Sequence, residues 1–140
     1  MRYLLDNNVI SELWKPRPES LVVSFVDTQE WFIPAPIIAE LQEGAEATAS
    51  AARKVQINAR LDDFLAAFGP LVINWDAETA RVWGRLKHSR EVKQKPQPLW
   101  DSLIDAMAIR YGYTVATRNA ADFRHAPTFN PWSGPPPSES

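Results

Sequence analysis

Four carboxylates and an amide recur at comparable places along this chain: Asp6, Glu40, Asp101, and the pair Asn119 and Asp122. Each lies just behind an apolar run or near the start of a helical stripe. Two carboxylates about 4 Å apart repel by roughly 1 kcal/mol in water and about 4 kcal/mol at an effective dielectric of 20. A fold tolerates such a gathering where a cation offsets it. The chain has no Cys, and no His stands beside these acids in sequence, so the donors are all oxygen. That set suits Mg²⁺ or Mn²⁺ rather than Zn²⁺. A hard divalent ion that activates water beside a phosphodiester is the apparatus of a nuclease. Each acid also has a plainer explanation. Asp101 suits the first turn of a helix through capping and the macrodipole, worth about 0.3–1 kcal/mol, and Asp122 suits a loop closure. Asp6 is harder to explain away, because an Asp directly behind a buried strand must be solvated by something.

The elements that must bring these residues together are legible as an alternation. Residues 2–5 read as a buried strand. Asn8 or Ser11 is a candidate cap for a short helix stopped by Pro16 and Pro18. Leu21, Val22, Phe25 and Val26 form a helical stripe within residues 20–29, and residues 31–33 a second strand. Pro36 opens a helix through Ile37, Ile38, Leu41 and Ala45, expected to break near Gly44, and a further helix covers residues 49–68. Residues 71–73 are a strand, and Asp76 caps the helix carrying Ala80, Val82, Trp83 and Leu86. After a loop over residues 95–98, the clearest helix runs from Trp100 to Tyr111 and ends at Gly112. Residues 114–117 and, more weakly, 128–129 complete the strands. Strands alternating with helices predict an α/β fold, a mostly parallel sheet of four to five strands with helices on both faces. In such sheets ligands bind beyond the carboxyl ends of the strands, which is where the acids fall.

Composition sets the limits. With 140 residues, 45% hydrophobic and 23% charged, the chain fits one globular domain. Residues 1–132 form that domain, and the Pro/Ser-rich tail, residues 133–140, is expected to be disordered. The cysteine count excludes disulfides and thiolate metal sites. No apolar stretch is long enough to span a bilayer, the N-terminus lacks a signal-peptide pattern, and a cytoplasmic location is expected. The net charge of −2 gives no global attraction to nucleic acid. Locally, though, Arg81, Arg85, Lys87, Arg90, Lys93 and Lys95 face only Glu91 as a counter-charge. That run is either a solvated helix face followed by a loop or a phosphate-binding surface.

The ordered motifs LLDNNVISEL, AELQEG and LWDSLIDAMAIRYGYTVATRNAADF resemble the PIN-domain ribonucleases over roughly residues 1–132. The likeness is strongest to the VapC-type toxins of toxin–antitoxin pairs, including the FitB-like branch with a terminal FNPW, here Phe129 to Trp132. The resemblance implies a three-layer α/β/α fold, dependence on Mg²⁺ or Mn²⁺, and endonucleolytic cleavage of RNA. It maps the family's acids onto Asp6, Glu40 and Asp101, with Asn119 and Asp122 both open for the fourth position. Asp6 and Asp101 are the implied metal ligands, with the remaining residues completing or orienting the shell. Arg118, Arg85 and Lys87 are candidates to hold the RNA backbone. Two positions depart from the family pattern. Asn7 stands where relatives usually carry Thr or Ser. Asp105 stands where they carry a small apolar residue, and it reads either as an edge residue paired with Arg or Lys or as an extra acid near the metal.

The resemblance also implies a homodimer and a cognate antitoxin, with no membrane partner. Trp14, Leu21, Phe25 and Trp31 are the sequence candidates for an exposed interface, though the sequence does not separate them from core. Two rival readings remain. A phosphatase working through an aspartyl-phosphate on Asp6 needs a second Asp two residues on, where this chain has Asn8. A catalytically weak binding module would tolerate loss of an acid from the set, and none is missing.

Overall fold

A computed structural model describes residues 1–138; the last two residues of the Pro/Ser-rich tail lie outside the described residues. Five parallel strands form one sheet: β1 (Arg2–Leu5), β2 (Glu30–Pro34), β3 (Val72–Ile73), β4 (Thr114–Ala116) and β5 (Thr128–Phe129). Their spatial order is β3-β2-β1-β4-β5, so β1 is central. Its chain leaves toward β2 on one side and pairs with β4 on the other. The carboxyl ends of β1 and β4 therefore flank the point where the connections diverge, the crevice in which open α/β sheets place their sites. Tyr3, Leu4 and Leu5 are fully buried, as expected of a strand covered on both faces.

Among the described residues seven helices cover the sheet in an α/β/α arrangement: α1 (Asn7–Leu13), α2 (Ser20–Thr28), α3 (Ala35–Ala47), α4 (Ala51–Phe68), α5 (Ala77–Lys87), α6 (Arg90–Gln94) and α7 (Leu99–Tyr111). Ile37 and Leu41 of α3, Leu61 and Phe64 of α4, and Ile104, Met107 and Ala108 of α7 join the strand residues in one core. Gly112 closes α7 at φ +71°, a left-handed conformation that costs a glycine little. The helix α5 lies along α7 with opposite polarity. Arg110, near the end of α7, pairs with Glu78 at 2.9 Å near the start of α5, whereas Trp83 Nε1 donates to Ser102 Oγ at 3.0 Å from the other end.

Local expectations failed in instructive ways. The cap of α1 is Asp6 itself, whose carboxylate accepts from the Asn7 backbone N–H, in place of Asn8 or Ser11. The helix α3 continues through Gly44, where tertiary packing of Leu41 and Ala45 outweighs a propensity cost of about 1 kcal/mol. Leu71 belongs to a 3-10 turn ahead of β3, and a short helix, α6, follows α5 within the basic run, ahead of the loop over residues 95–98. Phe25 and Trp31 are core residues, 2% and 8% exposed, and Trp14 packs edge-on against Phe64. Of the four interface candidates only Leu21 is exposed.

Candidate active site

The register of the sheet builds the site. Leu5 pairs with Ala116, so the residues that follow, Asp6 and Thr117, stand side by side at the carboxyl edge. The Asp6 backbone N–H extends the ladder to the Ala116 carbonyl at 3.0 Å. Asp6 is 4% exposed, and three donors solvate its carboxylate: Asn7 N–H at 2.7 Å, the Thr117 hydroxyl at 2.7 Å and Asn8 Nδ2 at 3.4 Å. Asn8 also donates to Thr117 Oγ1 and accepts from the Arg118 backbone N–H, both at 3.3 Å. The turn behind β1 is thereby tied to the turn behind β4. Burial raises the Asp6 pKa above the usual carboxylate range, the bonds from Thr117 and Asn7 pull it down, and the charge on Asp122 adds to the rise.

The other acids converge on the same edge. Pro34 ends β2 and starts α3, which carries Glu40 on its second turn, half-buried. Burial, then the charge on Asp6, raises the Glu40 pKa; a hydrogen bond from the Asn7 side chain opposes the shift. Asp101 occupies the first turn of α7. Burial, followed by the charges on Asp6, Asp122, Glu40 and Asp105, pushes its carboxyl up to about 7. A helix N-terminus favours a carboxylate, so burial, with the repulsion added, overrides the dipole here. The sequence-predicted acids Asp6, Glu40, Asp101 and Asp122 thus share one field.

Asn119 differs from them. Its N–H donates to Thr117 Oγ1 at 3.0 Å, its carbonyl accepts from Asp122 N at 3.0 Å, and its side chain is exposed. Among the described residues, no three His, Cys, Asp or Glu side chains close to the spacing of a single ion's inner shell. An ion that keeps several waters and takes one or two carboxylates fits this looser set, and the all-oxygen donors with unbalanced negative charge match a hard cation.

The basic candidates line the flanks. Because α5 and α7 are antiparallel, the end of α5 bearing Arg85 and Lys87 lies at the end of α7 bearing Asp101. Lys87 Nζ sits over the Trp83 ring at 5.3 Å, and Arg85 is exposed. Arg118, exposed and next to Thr117, stacks its guanidinium 4.2 Å from the Trp132 ring centre, so the terminal FNPW segment supports it. From Asn7 and Glu40 a groove of 760 Å³ runs outward along α1, α3 and α4, past Arg53 and Arg60.

Sequence reasoning underrated two residues. Thr117 is fully buried and joins Asp6 to the β4 turn, and its position directly behind a β-branched strand was the available signal. Asp105 is neither an edge residue nor paired with Arg or Lys. It is 0% exposed and accepts His125 Nδ1 at 2.7 Å, the His125 and Ala126 backbone N–H groups at 3.3 and 2.8 Å, and Gln97 Nε2 at 3.3 Å. Its charge nevertheless reaches Asp101.

A five-stranded parallel sheet with acids gathered at the carboxyl edge of its central strands defines a nuclease-like α/β/α domain, and the comparisons agree. The PIN domain profile matches residues 3–128. The chain belongs to the PIN-domain family, in the group that holds the VapC ribonucleases and toxin FitB. It is 33% identical to VapC ribonuclease Y4jK of Sinorhizobium fredii, over 92% of this chain and 96% of that one. To toxin FitB of Neisseria gonorrhoeae it is 30% identical, over 92% and 97%. The crystal structure of FitAcB from Neisseria gonorrhoeae superposes with a TM-score of 0.77 at 29% identity, covering 93% of this chain and 98% of that chain. VapBC2 from Rickettsia felis bound to a promoter DNA fragment, at 24% identity and a TM-score of 0.72, supports the fold. Among the described residues no helix is long and apolar enough to cross a membrane.

Proposed function

We propose that this protein is a divalent-metal-dependent endoribonuclease acting as the toxin of a toxin–antitoxin pair. The observation that carries the reading is the gathering of Asp6, Glu40, Asp101 and Asp122 at the edge of β1 and β4, where burial first and neighbouring acid charges second raise the pKa of Asp6, Glu40 and Asp101. Such a field suits an incoming cation and a phosphodiester whose charge that cation offsets. Asp6 and Asp101 would hold Mg²⁺ or Mn²⁺, which when bound supplies Lewis acidity toward water and phosphate oxygen. Asp6 is the fixed ligand, since Asn7, Asn8 and Thr117 orient its carboxylate. Glu40 would complete or orient the shell of that ion. Asp122 serves as the fourth acid, with the Asn119 backbone holding its turn. Arg85, Lys87 and Arg118 hold the RNA phosphates on either side of the cut.

The partners follow from the same reading. The relatives named toxin FitB and the FitAcB complex support a cognate antitoxin for this chain. A second copy of the chain docks on the apolar face formed by Pro36, Ala39, Trp75, Ala80, Trp83 and Trp100, a patch of the kind that marks interfaces. Both partners fit a cytoplasmic protein. Asp6→Asn preserves the shape of the site while removing the fixed charge. The variant is expected to fold and to lose RNA cleavage; undiminished cleavage would overturn the assignment.

A further inference from the structure

Asp105 places a fully buried carboxyl group on α7 one turn behind Asp101, and its partners form a chain. On one side His125 joins Asp105, through Nδ1 at 2.7 Å, to Ser89 Oγ, through Nε2 at 2.9 Å, with Glu91 Oε2 3.7 Å from the same nitrogen. On the other side Gln97 Nε2 donates both to Asp105 Oδ2 at 3.3 Å and to the Asp122 carbonyl at 3.0 Å. The Ser89–His125–Asp105 connectivity is that of an acyl-transfer triad. However, Ser89 Oγ also caps α6 by accepting from Val92 N, and the Glu91 carboxylate lies against the same His125 nitrogen that meets Ser89, so the hydroxyl and the ring are both engaged. The chain is therefore built to hold rather than to react. What it holds is the segment running from the 3-10 turn Ala120–Asp122 to Ala126, gripped at Asp122 by Gln97 and at His125 and Ala126 by Asp105.

We propose that Asp105 and Gln97 are positioning residues, which fix Asp122 at the acidic rim by anchoring its turn to α7. The physical need is clear. Asp122 sits on a three-residue 3-10 turn whose own bonds are Asp122 N to Asn119 O at 3.0 Å and Phe123 N to Ala120 O at 3.2 Å. So short a turn does not set a carboxylate by itself. Asp101 lies one helical turn before Asp105 on α7, so one helix carries a rim acid and the anchor for another. Gln97 precedes the same helix and closes the link.

Only the activity arm of the test rests on the ribonuclease reading; the exchange arm does not. The decisive variant is Gln97→Ala, which cuts the link at a half-buried side chain and leaves the buried carboxylate its other donors. Gln97→Ala is expected to lower kcat on RNA about tenfold with KM unchanged. Combining it with Asp122→Ala should cost no more than Asp122→Ala alone, because both act through one residue. Amide hydrogen exchange should accelerate at Asp122 and Phe123 and stay unchanged in β1. Asp105→Asn, if it folds, should show the same pattern. A wild-type kcat, additive losses, or unchanged exchange at Asp122 and Phe123 would overturn the proposal. Should the wild type cleave no RNA, the ribonuclease reading fails and the exchange data alone decide the anchor.

Discussion

Thr117 Oγ1 donates to Asp6 Oδ2 at 2.7 Å, across the register that pairs Leu5 with Ala116. The same oxygen accepts the Asn119 backbone N–H at 3.0 Å, so a single hydroxyl joins the buried acid of β1 to the turn carrying Asp122. Thr117→Val keeps the volume, removes the donor from a buried carboxylate and orphans an N–H. The expected result is a loss of about 1–3 kcal/mol in stability and of about 10–100-fold in kcat, with recovery in Thr117→Ser. Denaturation and kinetics on the three proteins check this.

The raised carboxyls give a stability that depends on pH in a definite direction. Asp101 titrates near 7 in the folded chain and near the ordinary carboxylate value when unfolded. Between those values the native state binds the extra proton, so stability falls as pH rises from about 4 to 7 and stays low above it. Metal-free protein should therefore melt at a lower temperature at pH 8 than at pH 5. Asp101→Asn should flatten that slope, and Mg²⁺ or Mn²⁺ should raise the melting temperature most at pH 8. A thermal scan across pH with and without the ion tests all three.

Arg118 is expected to grip RNA through its charge and its platform on Trp132. Arg118→Ala should weaken RNA binding and reduce the slope of log affinity against log salt by about 0.7 if one phosphate contact is lost. Trp132→Ala should loosen Arg118 and produce a smaller loss. Binding isotherms at several salt concentrations, with chelator present to prevent cleavage, give the slopes.

The apolar face around Ala80 and Trp83 predicts a homodimer. Ala80→Glu places a charge on that face at an exposed position without touching the core. Sedimentation should find the wild type dimeric and Ala80→Glu monomeric. A monomeric wild type would remove the dimer.

Much of this architecture was legible because its signals are local. Leu4 and Leu5 ahead of Asp6, Pro36 opening α3, and Asp76 capping α5 through Thr79 N at 2.8 Å each declare themselves within a few residues. The acids Asp6, Glu40, Asp101 and Asp122 were readable as a set because a parallel sheet sends every strand's carboxyl end to one rim. What escaped depends on long-range partners. Asp105 meets His125 from 20 residues away, and neither side chain signals the other in sequence. The helix α3 passes Gly44 because its burial is set by α4. The five-residue α6 is too short to show a period. The apolar face assembles from α3, α5 and α7 and the segment before α5, so no single stripe declares it, and sequence alone does not separate core residues such as Phe25 and Trp31 from interface ones.

The most direct measurement is cleavage of a pooled RNA preparation by the wild type and by Asp101→Asn, each with Mg²⁺, with Mn²⁺ and with chelator. The expected result is cleavage by the wild type with either ion, none with chelator, and none by Asp101→Asn under any condition. Cleavage that persists in chelator, or that survives in Asp101→Asn at the wild-type rate, would contradict the account.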